Sequence, residues 1–311
     1  MKPFPPLLQH PITARCPGSC GEFLQGWLDG SEKLISYAID CYSQVTLTPV
    51  PAADAHAAFR RDHPRAWELT RAIVENYLGA DADQTLPITL TLESQLPRAK
   101  GMASSTADLA ATAAALLTWL NQPFDGEILT RLCTQLEPTD SIIHSRLALM
   151  DPLTGEVIRS YQQLPPLQVL VLEGLDAVET AGFRRENHAL RREAQQRELA
   201  EALKYFEEAL ALGDMEALAA ACWISARANQ MFYPLPGLET LHHLALRHGA
   251  WGLNIAHSGS TVALLHDPRR FRFQAFLDDW HREPAATRYF PPRRHRLIPG
   301  GVTVTERKES P

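Results

Sequence analysis

The stretch Pro97-Arg-Ala-Lys-Gly-Met-Ala-Ser-Ser-Thr-Ala107 constrains this chain more than any other. Before it, Ile88, Leu90 and Leu92 alternate with polar residues, the period-two signature of a half-buried strand. After it, Ala110 to Leu120 is small or apolar almost throughout and lacks a helix breaker, which predicts a buried helix. A strand that passes through a small-residue loop into a helix collects free backbone N–H groups and the positive helix end at one point, a suitable seat for a phosphate. Ser105 to Asp108 also fits an ordinary capping box, in which Ser105 caps the helix and Asp108 reaches back. A cap, however, does not require the lead-in from Pro97 to Gly101 or an alanine-rich helix.

Two common phosphate-binding patterns are excluded. No Gly-x-x-x-x-Gly-Lys-[Ser/Thr] loop is present, since Lys100 precedes its glycine, and no Gly-x-Gly-x-x-Gly dinucleotide fingerprint occurs. What remains resembles the second motif of the GHMP kinases, usually written Pro-x-x-x-Gly-Leu-Gly-Ser-Ser-x-Ala. It stands here as Pro97, Gly101, Met102, Ala103, Ser104, Ser105 and Ala107. The first motif of that family, of Pro-Gly…Gly-Glu type, lines the substrate pocket and is matched by Pro17-Gly18 and Gly21-Glu22, with a shorter gap than in galactokinase. Read without the family, the same segment is a turn-rich loop. The third, a Gly-rich turn near the phosphates, corresponds to His257-Ser258-Gly259-Ser260-Thr261, which on local grounds reads equally as a hairpin turn. The three follow one another in the family's order.

Phosphoryl transfer needs a phosphate cradle, a magnesium ion and an aimed nucleophile. Glu137 suits the metal because a following proline holds it at a helix–loop junction, and hard oxygen ligands suit magnesium. Asp140 would share a face with Glu137 if the segment makes a helical turn beginning at Pro138. Both acids also read as helix-end residues. The resemblance implies ATP and Mg2+ as cofactors, with Pro97, Lys100, Gly101, Met102, Ala103, Ser104, Ser105, Thr106, Ser258 and Gly259 around the nucleotide. It further implies Ser104 or Ser105 with Glu137 on magnesium, and Asp140 and Ser104 as catalytic residues. Ser105 is taken as the metal-ligating serine.

Within the family, the segments Cys16–Gly26, Lys100–Asp108 and Glu137–Ser141 look most like the kinases that make L-threonine O-3-phosphate for cobalamin synthesis. That implies L-threonine as substrate, with Glu22, Cys20 and Thr180 on its side of the site; Thr180 reads alternatively as a helix N-cap. An amino-acid substrate needs partners for its ammonium and carboxylate, and Glu22 and Arg15 are of the right types. Kinases for other alcohols, such as homoserine or mevalonate, and a silent ligand sensor of the same fold are the alternatives.

Strand and helix patterns mix without regular βαβ alternation, so the expected class is α+β. The resemblance implies a two-domain fold, ribosomal protein S5 domain 2-like then ferredoxin-like, divided at the Pro165-Pro166 break into residues 1–165 and 166–311. A net charge of −6 gives no reason to expect nucleic acid or anionic membrane as a partner. No apolar run approaches a membrane span and the start lacks a signal peptide's apolar region, so a cytoplasmic protein is expected. The five cysteines lack Cys-x-x-Cys spacing and are expected to be reduced. His242, His243 and His248 are expected on a solvated helix face.

Overall fold

The computed structural model describes residues 7–50, 56–79, 86–162, 164–176, 189–230, 232, 234–257 and 259–306. The first half runs β1 (Ile12–Gly18), β2 (Glu22–Leu28), β3 (Ser31–Ser36), β4 (Ala38–Pro49), α1 (Ala57–Asp62), α2 (Pro64–Leu78), β5 (Ile88–Ser94), α3 (Ser104–Trp119) and α4 (Gly126–Thr134). A short 3-10 turn, Ser141–Ile143, leads into β6 (Leu147–Met150) and β7 (Val157–Tyr161). The second half runs β8 (Gln168–Glu173), α5 (Ala189–Leu212), α6 (Met215–Asn229), α7 (Leu238–Arg247), β9 (Gly252–Ile255), β10 (Thr261–His266), α8 (Phe273–Trp280), β11 (Arg293–Ile298) and β12 (Thr303–Glu306).

Helix α3 is the centre of the first core. It is buried on nearly every side, and Ala107, Ala110, Ala111, Ala114 and Ala115 have no solvent exposure. Those small residues let the helix lie close to β1, whose alternate residues Ile12, Ala14 and Cys16 are fully buried. The expected helix is therefore present and begins earlier, at Ser104. Helix α2 ends at Gly79, which adopts the left-handed conformation, φ 59°, as a C-terminal glycine commonly does.

Among the described residues, one sheet runs β12-β1-β4-β11-β8-β10-β9, with β5 also on β4, and a second runs β2-β3-β6-β7. The two halves of the chain share the first sheet. In β8, Val169 and Val171 face the core of α3, while Leu170 and Leu172 face a second core with Leu241, Phe276 and Trp280. The same alternation splits Ala263 and Leu265 from Val262 and Leu264 in β10. A division after residue 165 does not capture the return of the chain: β11 pairs with β8 through Arg293–Arg296 and then with β4 through Leu297 and Ile298, and β12 pairs with β1.

The histidine cluster departs from expectation. His242 stacks on Trp223 with centroids 3.8 Å apart, and burial lowers its pKa to about 4. His248 is buried and meets Asp279 at 2.9 Å. His248 is thus withdrawn from solvent by its acidic partner and His242 half-covered by Trp223, while His243 stays exposed as expected. All five cysteines are free and buried.

Candidate active site

Residues 99–103 form a loop of alternating backbone handedness: Ala99, Gly101 and Ala103 have φ of 59°, 77° and 56°, with the residues between them outside the positive region. Alternation of this kind turns successive N–H groups toward one concavity, a nest for an anion. Left-handed conformation costs a non-glycine residue roughly 1–2 kcal/mol. Two alanines in that state within five residues mark a loop whose shape the surrounding structure imposes. Ala103 is also the residue that starts α3, and it provides no side-chain cap. The capping-box reading fails: Asp108 accepts instead from the Ser43 hydroxyl. The N–H groups of the first turn of α3 therefore remain open to the nest, and among the described residues the half-buried Ser104 and Ser105 hydroxyls carry no hydrogen bond.

The first and third motifs close on this loop. The Ser19 N–H donates to the Met102 carbonyl at 3.1 Å. A Cβ on Gly101 would lie 2.4 Å from Ala256 Cβ and 3.0 Å from Gly259 Cα, and one on Gly259 would lie 2.2 Å from the Lys100 carbonyl oxygen. Only glycines permit that contact. Thr261 completes it by donating its hydroxyl to the Lys100 carbonyl at 2.7 Å.

The acids arrive from other elements. Asp140 is extended, φ −83° and ψ 151°, and the helical turn expected from Pro138 does not form, because Thr139 N–H bonds to the Pro152 carbonyl. Thr106 captures Asp140 twice, donating its hydroxyl to Oδ2 at 3.0 Å and accepting the Asp140 N–H at 3.2 Å. Thr106 thus acts through its side chain on the acid. Glu137 pairs with Arg65, whose side chain is largely exposed. Asp108, whose pKa burial pushes up to about 6 against the Ser43 hydrogen bond, feels the Glu137 charge.

Glu22 is fully enclosed. Its carboxylate accepts the His257 backbone N–H and lies beside the Ser36 hydroxyl, while Oε2 has no partner among the described residues. Burial first, and the Asp140 charge second, push its pKa well above the usual carboxylate range. The His257 ring meets Gln25 Oε1 at 3.1 Å and pairs with Glu32, so the third loop is pinned to β2 and β3.

Several sequence-predicted residues stand differently. The Lys100 ammonium is turned away from the nest and donates to the carbonyls of Gly174, Leu175 and Asp176 at 2.7, 2.8 and 3.0 Å, so only its backbone belongs to the loop. Cys20 directs its thiol to the Tyr37 hydroxyl at 3.1 Å, and burial keeps it protonated. Arg15 lies on the exposed side of β1 with its guanidinium 4.2 Å from the Tyr42 ring centroid, away from Glu22. Ser258 and Thr180 lie outside the described residues. Pro97 and Met102 frame the loop, Met102 from within the core. Sequence reasoning missed Ser43, Gln25, Glu32 and Arg65, which act on the site residues through contacts distant in sequence.

The residues present suit a nucleotide phosphate and a hard cation. The nest and helix N-terminus can bind phosphate oxygens, and two unpaired hydroxyls with carboxylates nearby are the oxygen donors that magnesium takes. Fold and site together suit a small-molecule kinase, the open helix N-terminus lying between two halves that share a sheet. Residues 66–151 match the GHMP kinases N terminal domain and residues 202–278 match the GHMP kinases C terminal. An L-threonine kinase of Salmonella typhimurium is 36% identical over 297 residues, covering 94% of this chain and 95% of that protein. Another L-threonine kinase, of Citrobacter freundii, is 35% identical over 298 residues, covering 94% and 99%. Among solved structures, the mevalonate diphosphate decarboxylase from Enterococcus faecalis, described by its ATP-binding mechanism, matches with a TM-score of 0.68 at 16% identity, covering 96% of this chain and 99% of the other. The chain belongs to the GHMP kinase family.

Proposed function

We propose that this protein transfers the γ-phosphoryl group of ATP to the side-chain hydroxyl of L-threonine, giving L-threonine O-3-phosphate. The observation that carries the choice of acceptor is the buried Glu22 carboxylate, which feels the Asp140 charge and has an oxygen without a partner among the described residues. A buried carboxylate that feels a second, half-buried acid calls for a cation, and the ammonium of an amino acid is one. The near full-length similarity to L-threonine kinases supports the same acceptor. Mevalonate-type alcohols have no cationic group for Glu22.

In this reading the N–H groups of residues 99–105 bind the phosphates and Ser104 orients the transferred group. Ser105 and Glu137 would hold magnesium. Glu137 leaves its ion pair with the largely exposed Arg65 to do so. When bound, magnesium neutralises charge on the phosphate oxygens as it moves to the leaving group. Asp140, fixed by Thr106, orients the threonine hydroxyl and accepts its proton as the new P–O bond forms. Glu22 sets the register of the amino acid by taking its ammonium.

The product would supply the linker of cobalamin. Free, buried cysteines suit a reducing compartment, and we place the protein in the cytoplasm. No described helix is long and apolar enough to cross a membrane. The test is an ADP-release assay with ATP and magnesium across L-threonine, L-serine, L-homoserine and mevalonate. L-threonine is expected to give the highest kcat/KM, and preference for an acceptor without an ammonium group would overturn the reading.

A further inference from the structure

The second-motif lysine is the residue whose behaviour departs furthest from expectation. Lys100 is 8% exposed, and its ammonium donates to three successive carbonyls, those of Gly174, Leu175 and Asp176, just beyond the end of β8. An ammonium has three donors and no acceptor, so these three bonds satisfy it fully. Among the described residues no acid neutralises it: the Asp176 carboxylate is taken by Arg288 at 2.7 Å. The arrangement is that of a monovalent cation held by a carbonyl cage, with the cation tethered to the loop through its own side chain. The aromatic ring of Phe290, with its centroid 5.4 Å from Nζ, lies over the same charge.

The other end of the residue is equally fixed. Its carbonyl accepts the Thr261 hydroxyl at 2.7 Å and abuts Gly259. Ser260, between those two, donates to the Gly174 and Asp176 carbonyls at 3.2 and 2.7 Å, so the third loop grips the same carbonyl edge that Lys100 grips. Lys100 is flanked by Ala99 and Gly101, both left-handed. A strained backbone of this kind persists only where neighbouring contacts determine it, and the contacts that flank the strain here belong to Lys100.

We propose that Lys100 is a positioning residue of the kinase reaction, a built-in monovalent cation that ties the phosphate-binding loop to the carbonyls of residues 174–176 and thereby sets the N–H groups of the nest. The proposal rests on the reading of residues 99–105 as the phosphate cradle. Loss of the ammonium frees the loop from the carbonyl edge and leaves the cage open to a small cation from solution.

The test is chemical rescue. Lys100→Ala and the bulk-conserving Lys100→Met are assayed with ATP and L-threonine varied separately, in sodium buffer and then with added ammonium, methylammonium, ethylammonium or potassium. Misplacing a reacting group by about 1 Å costs on the order of a hundredfold. Both variants are expected to lose activity on that scale, through kcat and the KM for ATP, with the KM for L-threonine nearly unchanged. Added ammonium or alkylammonium is expected to restore Lys100→Ala at least tenfold in a saturable manner. Lys100→Met, whose side chain fills the cage, and wild type should not respond. A structural role alone would show no dependence on the added cation.

Full activity in Lys100→Met, or a folded Lys100→Ala that no cation rescues, overturns the proposal. If Lys100→Ala does not fold, Lys100→Gln is carried through the same cation series and judged by the same criterion. Nucleotide binding to the wild-type protein is titrated alongside with an ATP analogue and Ser104→Ala as control. Binding that is indifferent to Ser104 removes the cradle reading itself, whereas binding that needs Ser104 but not Lys100 removes only the role of Lys100.

Discussion

Replacing Glu22 with glutamine should stabilise the protein while it disables recognition of the acceptor. The carboxylate is buried, one oxygen lacks a partner among the described residues, and the Asp140 charge acts on it. Its folded-state pKa is raised well above 4.5, the value expected in the unfolded chain. Below pH 4.5 both states are protonated and the buried group costs little. As pH rises above 4.5 the unfolded chain releases its proton first, and the folded state loses about 1.4 kcal/mol of stability per pH unit until its own raised pKa is reached. An unsatisfied buried group costs about 1–3 kcal/mol, and more when charged. Glutamine keeps the acceptor for the His257 N–H and removes the charge.

The Glu22→Gln variant should therefore melt near wild type at pH 4.5 and above it at pH 8. At roughly 2–4 °C per kcal/mol for a chain of this order of size, the gain at pH 8 is about 2–10 °C. L-Threonine should raise the wild-type melting temperature at pH 8, because its ammonium provides the missing partner, and should leave the variant unchanged. Removing one member of a buried charge pair costs about 2–5 kcal/mol, so the KM for L-threonine should rise about 30-fold or more while the KM for ATP holds. Differential scanning fluorimetry at the two pH values and steady-state kinetics read both effects. Melting curves that differ equally at pH 4.5 and pH 8, or an unchanged KM for L-threonine, would refute the reasoning.

Four further variants probe the cradle and the acids. Ser104→Ala and Ser105→Ala, whose hydroxyls have no structural partner among the described residues, should each lower kcat about a hundredfold or more with a thermal melt like wild type; full activity in both removes the serines from the site. Glu137→Gln should shift the magnesium midpoint of activity upward, because an amide is a poor ligand for a hard cation, and an unchanged midpoint excludes Glu137 from the metal. Asp140→Asn should lower kcat by about 10²–10⁴ at nearly constant ATP affinity, and since Asp140 makes no side-chain cap, a wild-type profile would mean that transfer proceeds without a carboxylate there.

What was legible in the sequence is what short-range pattern encodes. Strand β5, helix α3, the hairpin of β9 and β10, and the glycines that bring Gly101 against Gly259 all follow from periodicity, breakers and motif spacing. What was not legible depends on partners far along the chain. Asp108 leaves its expected cap because Ser43, 65 residues away, offers a buried hydroxyl. Lys100 leaves the phosphates because a carbonyl edge 74 residues on satisfies all three of its donors. Glu137 and Asp140 do not form a helical turn because Thr106 and Pro152 fix the segment in extended form.

The return of the chain was hidden for a different reason, and it explains why the site needs both halves. Strands β11 and β12 are mostly exposed or half-buried and carry Arg293, Arg294, Arg296 and Glu306, so hydrophobic alternation has almost nothing to report. Their place is set by backbone hydrogen bonds to β8, β4 and β1. Because β11 joins β8 to β4, the edge that carries Gly174 is held in fixed relation to the sheet beneath α3. That edge is what Lys100 and Ser260 grip, and the α3 N-terminus is where the nest opens. Glu22 sits at the same junction, its carboxylate meeting the His257 N–H from the third loop and the Asp140 charge from the first half. A site assembled in this way can keep an uncompensated buried acid and two left-handed alanines only because two cores, sharing β8 and β10, hold its walls.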